Sequence, residues 1–404
     1  MKRADALRLY YALELVTAMP GWVVVDLYLV RTLHFSALQL VLVASATEAA
    51  IVAGEIPTGV VADTYSRRLS VIIGLVGMGA AVVLIGLTST PWLIIVLWGA
   101  WGLASTFQSG AYEAWIADEV GADNIGSVFL RGARMRYVGS MFGLCACVAL
   151  GLVSLRATVI AGGAVLLGCG LACIFLMPEH GFRRRPPAER ALGATALAGL
   201  RFARGNRLVL LLIATALFAG AGAVALDRLP EAHVLRDVGV PSGIDPVIAF
   251  GSVAGITMLF AFFAVRPVIA RVDDGGTPVV AKLLVAFTVA TIAAQIAFAL
   301  SGTFALAMAM WVVALVTRIL VRPLYTTWLN KQISDSSVRA TVLSLGGQAT
   351  AVGQVTGGPA IGVVGNAAGI PVALVTGALA GLPAVALYAR ALRHRGAEPE
   401  LVAA

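Results

Sequence analysis

Four hundred and four residues with 59% hydrophobic side chains, only 12% charged and a mean hydropathy of +0.92 exclude an ordinary soluble chain and place this one in a lipid bilayer. Lysine and arginine number 29 against 21 acids, a net charge of +8, but their placement along the chain speaks for orientation in a membrane and against nucleic acid as a partner. Forty-four glycines and sixteen prolines suit packed membrane helices, where small residues let backbones approach and neighbouring helices tolerate kinks.

An apolar helix crosses a hydrocarbon core of about 30 Å with roughly 20 residues, so this length permits about twelve crossings and little more. Apolar segments fall near residues 9–30, 38–60, 70–88, 91–117, 132–155 and 157–177. A polar stretch with GFRRRPPAER follows, and six more segments lie near 207–229, 246–266, 279–300, 303–328, 340–364 and 370–390. Helix is forced on each because backbone amides in hydrocarbon find no water, and nothing reads as the alternating strands of a barrel. The first segment is expected to be retained, since Glu14 interrupts it and no small-residue cleavage pattern follows. The expected fold is an all-α integral membrane protein with twelve transmembrane helices in two pseudo-symmetric six-helix bundles. Residues 1–177 form the first bundle, 178–206 a cytoplasmic linker, and 207–404 the second bundle with a short cytoplasmic tail. Pro186 and Pro187 break the linker, after which ALGATALAGLRFARGNRL reads as a basic amphipathic helix lying on the membrane surface.

Lysine and arginine are biased towards the cytoplasmic loops of membrane proteins. With the N-terminus inside, the inner loops and termini carry twenty-three of them, and the outer side only Arg31, Arg156, Arg228 and Arg236. Both termini are therefore expected in the cytoplasm, with the chain a multi-pass protein of a bacterial inner membrane. An internal repeat supports duplicated halves: SGAYEAWIADEV in segment four and RPLYTTWLNKQI in segment ten place Tyr112 and Trp115 opposite Tyr325 and Trp328.

Between segments two and three the chain reads GVVADTYSRR, with Gly59, Asp63, Arg67 and Arg68 in the spacing Gly-x-x-x-Asp-x-x-x-Arg-Arg. This resembles the signature loop of the major facilitator superfamily, and EIPTGVVAD just upstream looks like that of its bacterial drug and metabolite exporters. The resemblance implies a cytoplasmic latch: Gly59 would let helices approach, and Asp63 would meet the start of the eleventh helix near residues 335–341. Read without the family, Asp63, Arg67 and Arg68 are loop charges serving orientation. The chain departs from the family in its second-half counterpart loop, AVRPVIARVDD, and in a fifth helix, GSMFGLCACVALG, without the exporters' Gly-Pro pair; a similar GGPAIG stands in the eleventh helix. The fourth helix carries Thr106 and Gln108 where many proton-coupled exporters have an arginine.

Ionisable residues in hydrocarbon cost about 2.5–3.5 kcal/mol even on the mildest scale, so each invites a functional question. Glu48 and Glu55 lie seven residues apart on one face of the second helix. Low dielectric favours the neutral form of any carboxyl, and proton uptake can then be coupled to a conformational change. Glu48 is the first candidate for a proton site, with Glu55, Asp26 and Glu113 behind it. Asp26 and Asp227 either line a central cavity or form a solvated rim. Arg318, one turn from Arg322 on the tenth helix, is either a counter-ion of Glu48 or Glu55 or an attractor for an anion. Trp101, Gln108, Tyr112, Gln295, Trp311 and Gln348 complete the candidate cavity, although each aromatic reads equally as packing and Gln295 as a helix-helix hydrogen bond.

With lysine only at Lys2, Lys282 and Lys331, no lysine completes a Gly-x-x-x-x-Gly-Lys-Ser/Thr phosphate loop, so ATP is not the expected fuel. His34, His180, His233 and His394 lie in loops or tails without metal spacing, and Cys145, Cys147, Cys169 and Cys173 sit in apolar runs as packing residues. No metal, cofactor or enzymatic chemistry is expected. The sequence points to a monomeric secondary active transporter of multidrug type, driven by the proton gradient, that exports small amphiphilic compounds as an antiporter by alternating access. The alternatives are a proton-coupled importer or facilitator of a small organic nutrient, or a membrane receptor or assembly factor that moves no solute.

Overall fold

A computed structural model describes residues 2–19, 23–121, 125–182, 201–333 and 339–395. Among them all regular structure is helical. The chain runs α1 (Lys2–Thr17), α2 (Val23–Leu27) with a π-helical turn (Tyr28–Thr32), α3 (Ala37–Thr64), α4 (Arg67–Leu87), α5 (Pro91–Gln108), α6 (Ala111–Val120), α7 (Ile125–Val153) and α8 (Leu155–Leu176). It continues with α9 (Arg207–Arg228), α10 (Pro230–His233) with a second π-helical turn (Val234–Val238), α11 (Pro246–Ala299), α12 (Phe304–Lys331), α13 (Arg339–Ala368), α14 (Ile370–Ala380) and α15 (Leu382–Arg395).

Among the described residues ten stretches are long and apolar enough to cross a membrane. The first and eleventh predicted segments fall short for separate reasons: one is broken between α1 and α2, and α13 is diluted by glycine, threonine and glutamine. Their helices complete the twelve crossings. Local chemistry sets the boundaries. Ser36 opens α3 with a capping box, its Oγ accepting from the Gln39 amide while the Gln39 side chain accepts from the Ser36 amide at 2.9 Å. Ser66, Ser154 and Asn206 cap α4, α8 and α9 in the same sense. The predicted fourth segment is split after Gln108, because Gly110 takes φ of +69°, a left-handed value open to glycine. The loop expected between segments eight and nine is helical instead: α11 runs through Pro267 and Pro278, and its two spans are Pro246–Val272 and Pro278–Ala299. Most of the expected amphipathic linker helix lies outside the described residues, of which 201–205 are helical.

The chain forms two compact units, Met1–Arg190 with Ser242–Ser252, and Ala191–Pro241 with Val253–Ala404. The start of α11 thus belongs with the first unit, where Arg31 stands 3.7 Å from Asp245 and Gly251 lies against Val148. Within each unit, glycine brings helix backbones into contact. In the first, Gly79 and Gly163 seat α4 and α8 on one another's backbone, Gly102 faces the Thr47 carbonyl across α3 and α5, and Gly139 and Gly143 face the carbonyls of Leu15 and Met19. In the second, Gly220 faces the Thr350 carbonyl and Gly353 that of Leu217, joining α9 to α13. Threonines add interhelical bonds: Thr58 Oγ1 donates to the Thr106 carbonyl at 3.1 Å and Thr47 to that of Trp98 at 3.3 Å.

The aromatic repeat of the sequence is a structural repeat. The Tyr112 hydroxyl donates to the Tyr10 carbonyl at 3.1 Å, and the Tyr325 hydroxyl to the Leu212 carbonyl at 3.2 Å, so each tyrosine ties its helix to the opening helix of its own unit. Trp115 and Trp328 are both fully buried, each within its own unit's core cluster.

These glycine contacts predict opposite outcomes for two positions. Gly79→Leu drives a side chain into the backbone of α8 and should cost about 1–3 kcal/mol, a fall of several degrees in melting temperature of the purified protein. Gly168→Ala meets open space and should stay within about 0.5 kcal/mol of the parent.

Candidate functional site

Charge gathers at three places. The first is the turn between α3 and α4. Arg67 is nearly buried: Nη1 donates to the Ala114 carbonyl at 2.8 Å and to the Asp118 carboxylate, and Nη2 stands 3.7 Å from Asp63. A cation in the first turn of a helix opposes the helix dipole, and these acceptors offset that cost. Glu179 does the reverse, accepting from the Arg68 amide at 2.9 Å and from Ser66 Oγ at 2.7 Å, an anion placed where the dipole favours one. Trp115 Nε1 donates to the Pro178 carbonyl at 2.6 Å and Glu119 accepts from the amides of His180 and Gly181, so the chain leaving α8 is fastened to α6.

Glu14 on α1 and Arg136 on α7 make the second. Arg136 donates side-on to the carboxylate, through Nε at 2.7 Å and through Nη2 at 2.9 Å. The two partners are unequal: the Glu14 side chain is 2% exposed and that of Arg136 61%. The Tyr10 hydroxyl bonds the same carboxylate, and the Tyr10 ring stacks on Tyr112 with centroids 5.3 Å apart. The pair exists because α1 and α7 nearly touch: Gly132 accommodates the Tyr10 ring, Gly139 the Leu15 carbonyl and Gly143 the Met19 carbonyl. Arg136 lies between these glycines on the same face of α7.

The third is in the second unit, where Arg318 on α12 pairs with Asp227 on α9, both half-buried. Beyond Asp227, His233 is buried with Nδ1 2.9 Å from Asp237 and Nε2 3.2 Å from the Phe298 carbonyl. Its ring meets Phe298 edge-on, and Phe298 stacks on Trp311.

The sequence candidates separate accordingly. Asp227 takes Arg318 as its partner within the second unit. Glu48 is half-buried, while Glu55 and Glu113 are exposed. Asp26 is half-buried, two residues ahead of the π-helical stretch. Among the described residues no atom lies within 4 Å of the place a Cβ on Gly59 would take. Asp63 lies near Arg67; residues 334–338, most of the start of the expected partner helix, lie outside the described residues. Gln295 is buried and donates to the Leu374 carbonyl at 2.9 Å, a helix-helix bond, and Gly74 packs against Gln108. Trp101 is half-buried and meets Trp98 edge-on, and Tyr112 and Trp311 are buried. Gln348 is half-buried on α13. All four cysteines are free thiols, and no metal-holding cluster occurs among the described residues.

The charge count places Arg136 among the inner-loop cations, although it falls inside the fifth apolar segment, 132–155. The clue was Gly132, Gly139 and Gly143, whose spacing extends the helix and marks a contact face around the arginine. Sequence reasoning also passed over His233, whose short-range carboxylate at Asp237 becomes meaningful only once the ring is buried.

The sequence model of the Major Facilitator Superfamily matches residues 11–337. The chain belongs to the Major Facilitator Superfamily. A search of curated sequences finds no match. Among solved structures, a mutant of the nucleoside transporter NupG superposes with a TM-score of 0.81 at 14% identity, covering 97% of this chain and all of that one. A bacterial homologue of the human lysosomal transporter Spinster, inward-facing and unoccupied, gives 0.76 at 15% identity over 97% of each chain. A POT family transporter in complex with 5-aminolevulinic acid gives 0.69 at 10% identity, over 96% of this chain and 94% of the other. At such identities the likeness is one of fold. Membership of the superfamily makes the protein a multi-pass membrane transporter and not an enzyme.

In this superfamily member the α3–α4 turn depends on guanidinium shape, because Arg67 spans a carbonyl and a carboxylate together. Arg67→Lys should therefore lower the melting temperature by the equivalent of about 1–3 kcal/mol, while Arg322→Lys, on an exposed site, leaves it within about 0.5 kcal/mol.

Proposed function

We propose that this chain is a proton-coupled secondary transporter that exports small amphiphilic compounds, and that Glu14 carries the proton. The observation behind the proton role is the shielded carboxylate itself. Glu14 is the more deeply buried of two buried acids among the described residues, and its salt bridge ends on an arginine open to the surroundings. A carboxyl so placed has two states of nearly the same shape and different charge, tied to Arg136 when ionised and released from it when neutral. That difference is what a proton needs in order to bias one conformation over another. Glu48 and Glu55, half-buried and exposed, lack a comparably closed setting. Export is supported by the EIPTGVVAD stretch at the end of α3; the orientation with both termini in the cytoplasm is supported by the lysine and arginine bias. Neither depends on the other.

Proteoliposomes containing a trapped pH-sensitive dye test the reading. Among cationic, neutral and anionic amphiphilic dyes, at least one should move protons when added, and an uncoupler should abolish the movement. Glu14→Gln should remove about nine-tenths of it, whereas Glu48→Gln and Glu55→Gln retain at least about half. Proton movement left intact in Glu14→Gln would refute the assignment of the proton site.

A further inference from the structure

The second unit holds a histidine–carboxylate pair that the carrier reading does not use. His233 ends α10 and is 2% exposed, and both of its ring nitrogens face oxygen. Nδ1 stands 2.9 Å from the Asp237 carboxylate and Nε2 3.2 Å from the Phe298 carbonyl. A neutral imidazole carries one N–H, so it satisfies one of these acceptors and turns a lone pair towards the other; an imidazolium donates to both. Phe298 lies one residue before the end of α11, where carbonyls lack helical donors and the helix dipole favours a cation. Ser301 also donates to that carbonyl, through its amide at 3.2 Å and through its hydroxyl. The Asp237 side chain is 35% exposed, so a proton from water reaches the ring on that side.

The turn beside His233 does not itself require a histidine. Each unit has a π-helical turn at the end of its opening stretch, Tyr28–Thr32 in the first and Val234–Val238 in the second. The residue just ahead of the first is Leu27, buried and apolar; the residue just ahead of the second is His233. What distinguishes the second turn is its place in the chain, which passes from the second unit into the first between Pro241 and Ser242. Gly239 at φ of +83° and Gly243 at +98° stand on either side of that crossing, in left-handed conformations open to glycine. The Gly239 amide closes the π turn by donating to the Val234 carbonyl at 2.9 Å, so His233 and Asp237 sit at the root of the crossing segment. With the termini in the cytoplasm, as proposed above, that end of the unit faces outward.

We propose that His233 is a proton-sensing pin, a site separate from Glu14, that holds the root of the crossing segment when protonated and releases it when neutral. The imidazolium ties the π turn, through Asp237, to the end of α11, through Phe298. The neutral ring gives up one of the two contacts, and the crossing segment loosens. The hold is therefore present at acid pH and lost as the pH rises. The charged groups on the elements packed around the ring are few. Glu231 on α10 lies two residues before His233, about 200° round the helix, and Arg236 on the π turn is exposed. At the end of α9, Asp227 is taken by Arg318 of α12, and Arg228 follows it. The last turns of α11 and the whole of α14 carry no titratable residue, which leaves Asp237 as the carboxylate facing the ring. Neither the pin nor its test depends on the carrier reading.

Hydrogen–deuterium exchange of the purified full-length protein tests the pin, read on the amides of residues 234–239 near pH 5.5 and near pH 7.5 and expressed relative to the unstructured rate at the same pH. In the parent these amides should be about tenfold better protected at the lower pH, the scale of one charge-assisted hydrogen bond. His233→Gln should show the weaker protection at both pH values. Asp237→Asn should show the stronger protection at both, because a carboxamide can turn its NH2 to Nδ1 while the neutral ring donates from Nε2 to Phe298. A contact that served structure alone would weaken in both variants, so the opposite outcomes separate sensing from packing. Equal protection of the parent at the two pH values, a pH response that survives in His233→Gln, or an Asp237→Asn protein that is loosely held near pH 7.5 would overturn the proposal. Should His233→Gln fail to fold, the parent and Asp237→Asn decide the matter between them.

Discussion

Apolar side chains gain nothing by leaving lipid for a protein interior, so a membrane bundle must be held by close backbone approach and by the few polar bonds that such approach permits. In this chain the approach is made at glycine. Gly79 against Leu167, Gly139 against Leu15 and Gly353 against Leu217 each occupy a position where a Cβ would collide with backbone of the neighbouring helix. The remaining architecture follows from these contacts: threonine hydroxyls reach across α3 and α5, and tyrosine hydroxyls reach the opening helix of each unit.

The Glu14–Arg136 pair is a consequence of the same constraint. Were α1 and α7 separated by ordinary side chains, the acid would be hydrated or the arginine would snorkel, and neither would be fixed. With Gly132, Gly139 and Gly143 closing the gap, the carboxylate is sealed while the far side of the guanidinium stays open. An interaction that is buried at one end and accessible at the other is suited to exchange of partners, whereas the Arg67 cluster, with nearly all of its side chain enclosed, is suited to holding a turn in place.

The two units use one plan with different charges. Tyr112 and Tyr325 perform the same fastening, and Trp115 and Trp328 are each buried in the core of their own unit. The opening helix of each unit carries an acid paired with an arginine from a later helix, Glu14 with Arg136 and Asp227 with Arg318. Their sequence positions are not equivalent: Glu14 lies near the end of α1 and takes a partner on α7, while Asp227 lies near the end of α9 and takes a partner on α12.

By itself the sequence determined that the chain is a helical membrane protein with twelve crossings, that its halves are repeats marked by Tyr112 and Tyr325, and that GVVADTYSRR is a charged turn between the second and third. Hydropathy and spacing carry that information because the thickness of hydrocarbon and the demand for internal hydrogen bonds act on each segment separately. Which charges meet was decided only in three dimensions. Glu48 attracted attention because it sits in the middle of an apolar run, yet depth along a helix says nothing about which neighbour covers a side chain. Glu14 lies near the end of its helix and Arg136 about three turns into another, 122 residues away, and their pairing depends on the rotation of two helices about their axes at a glycine contact. That rotation is a property of the packed bundle, which no single segment contains.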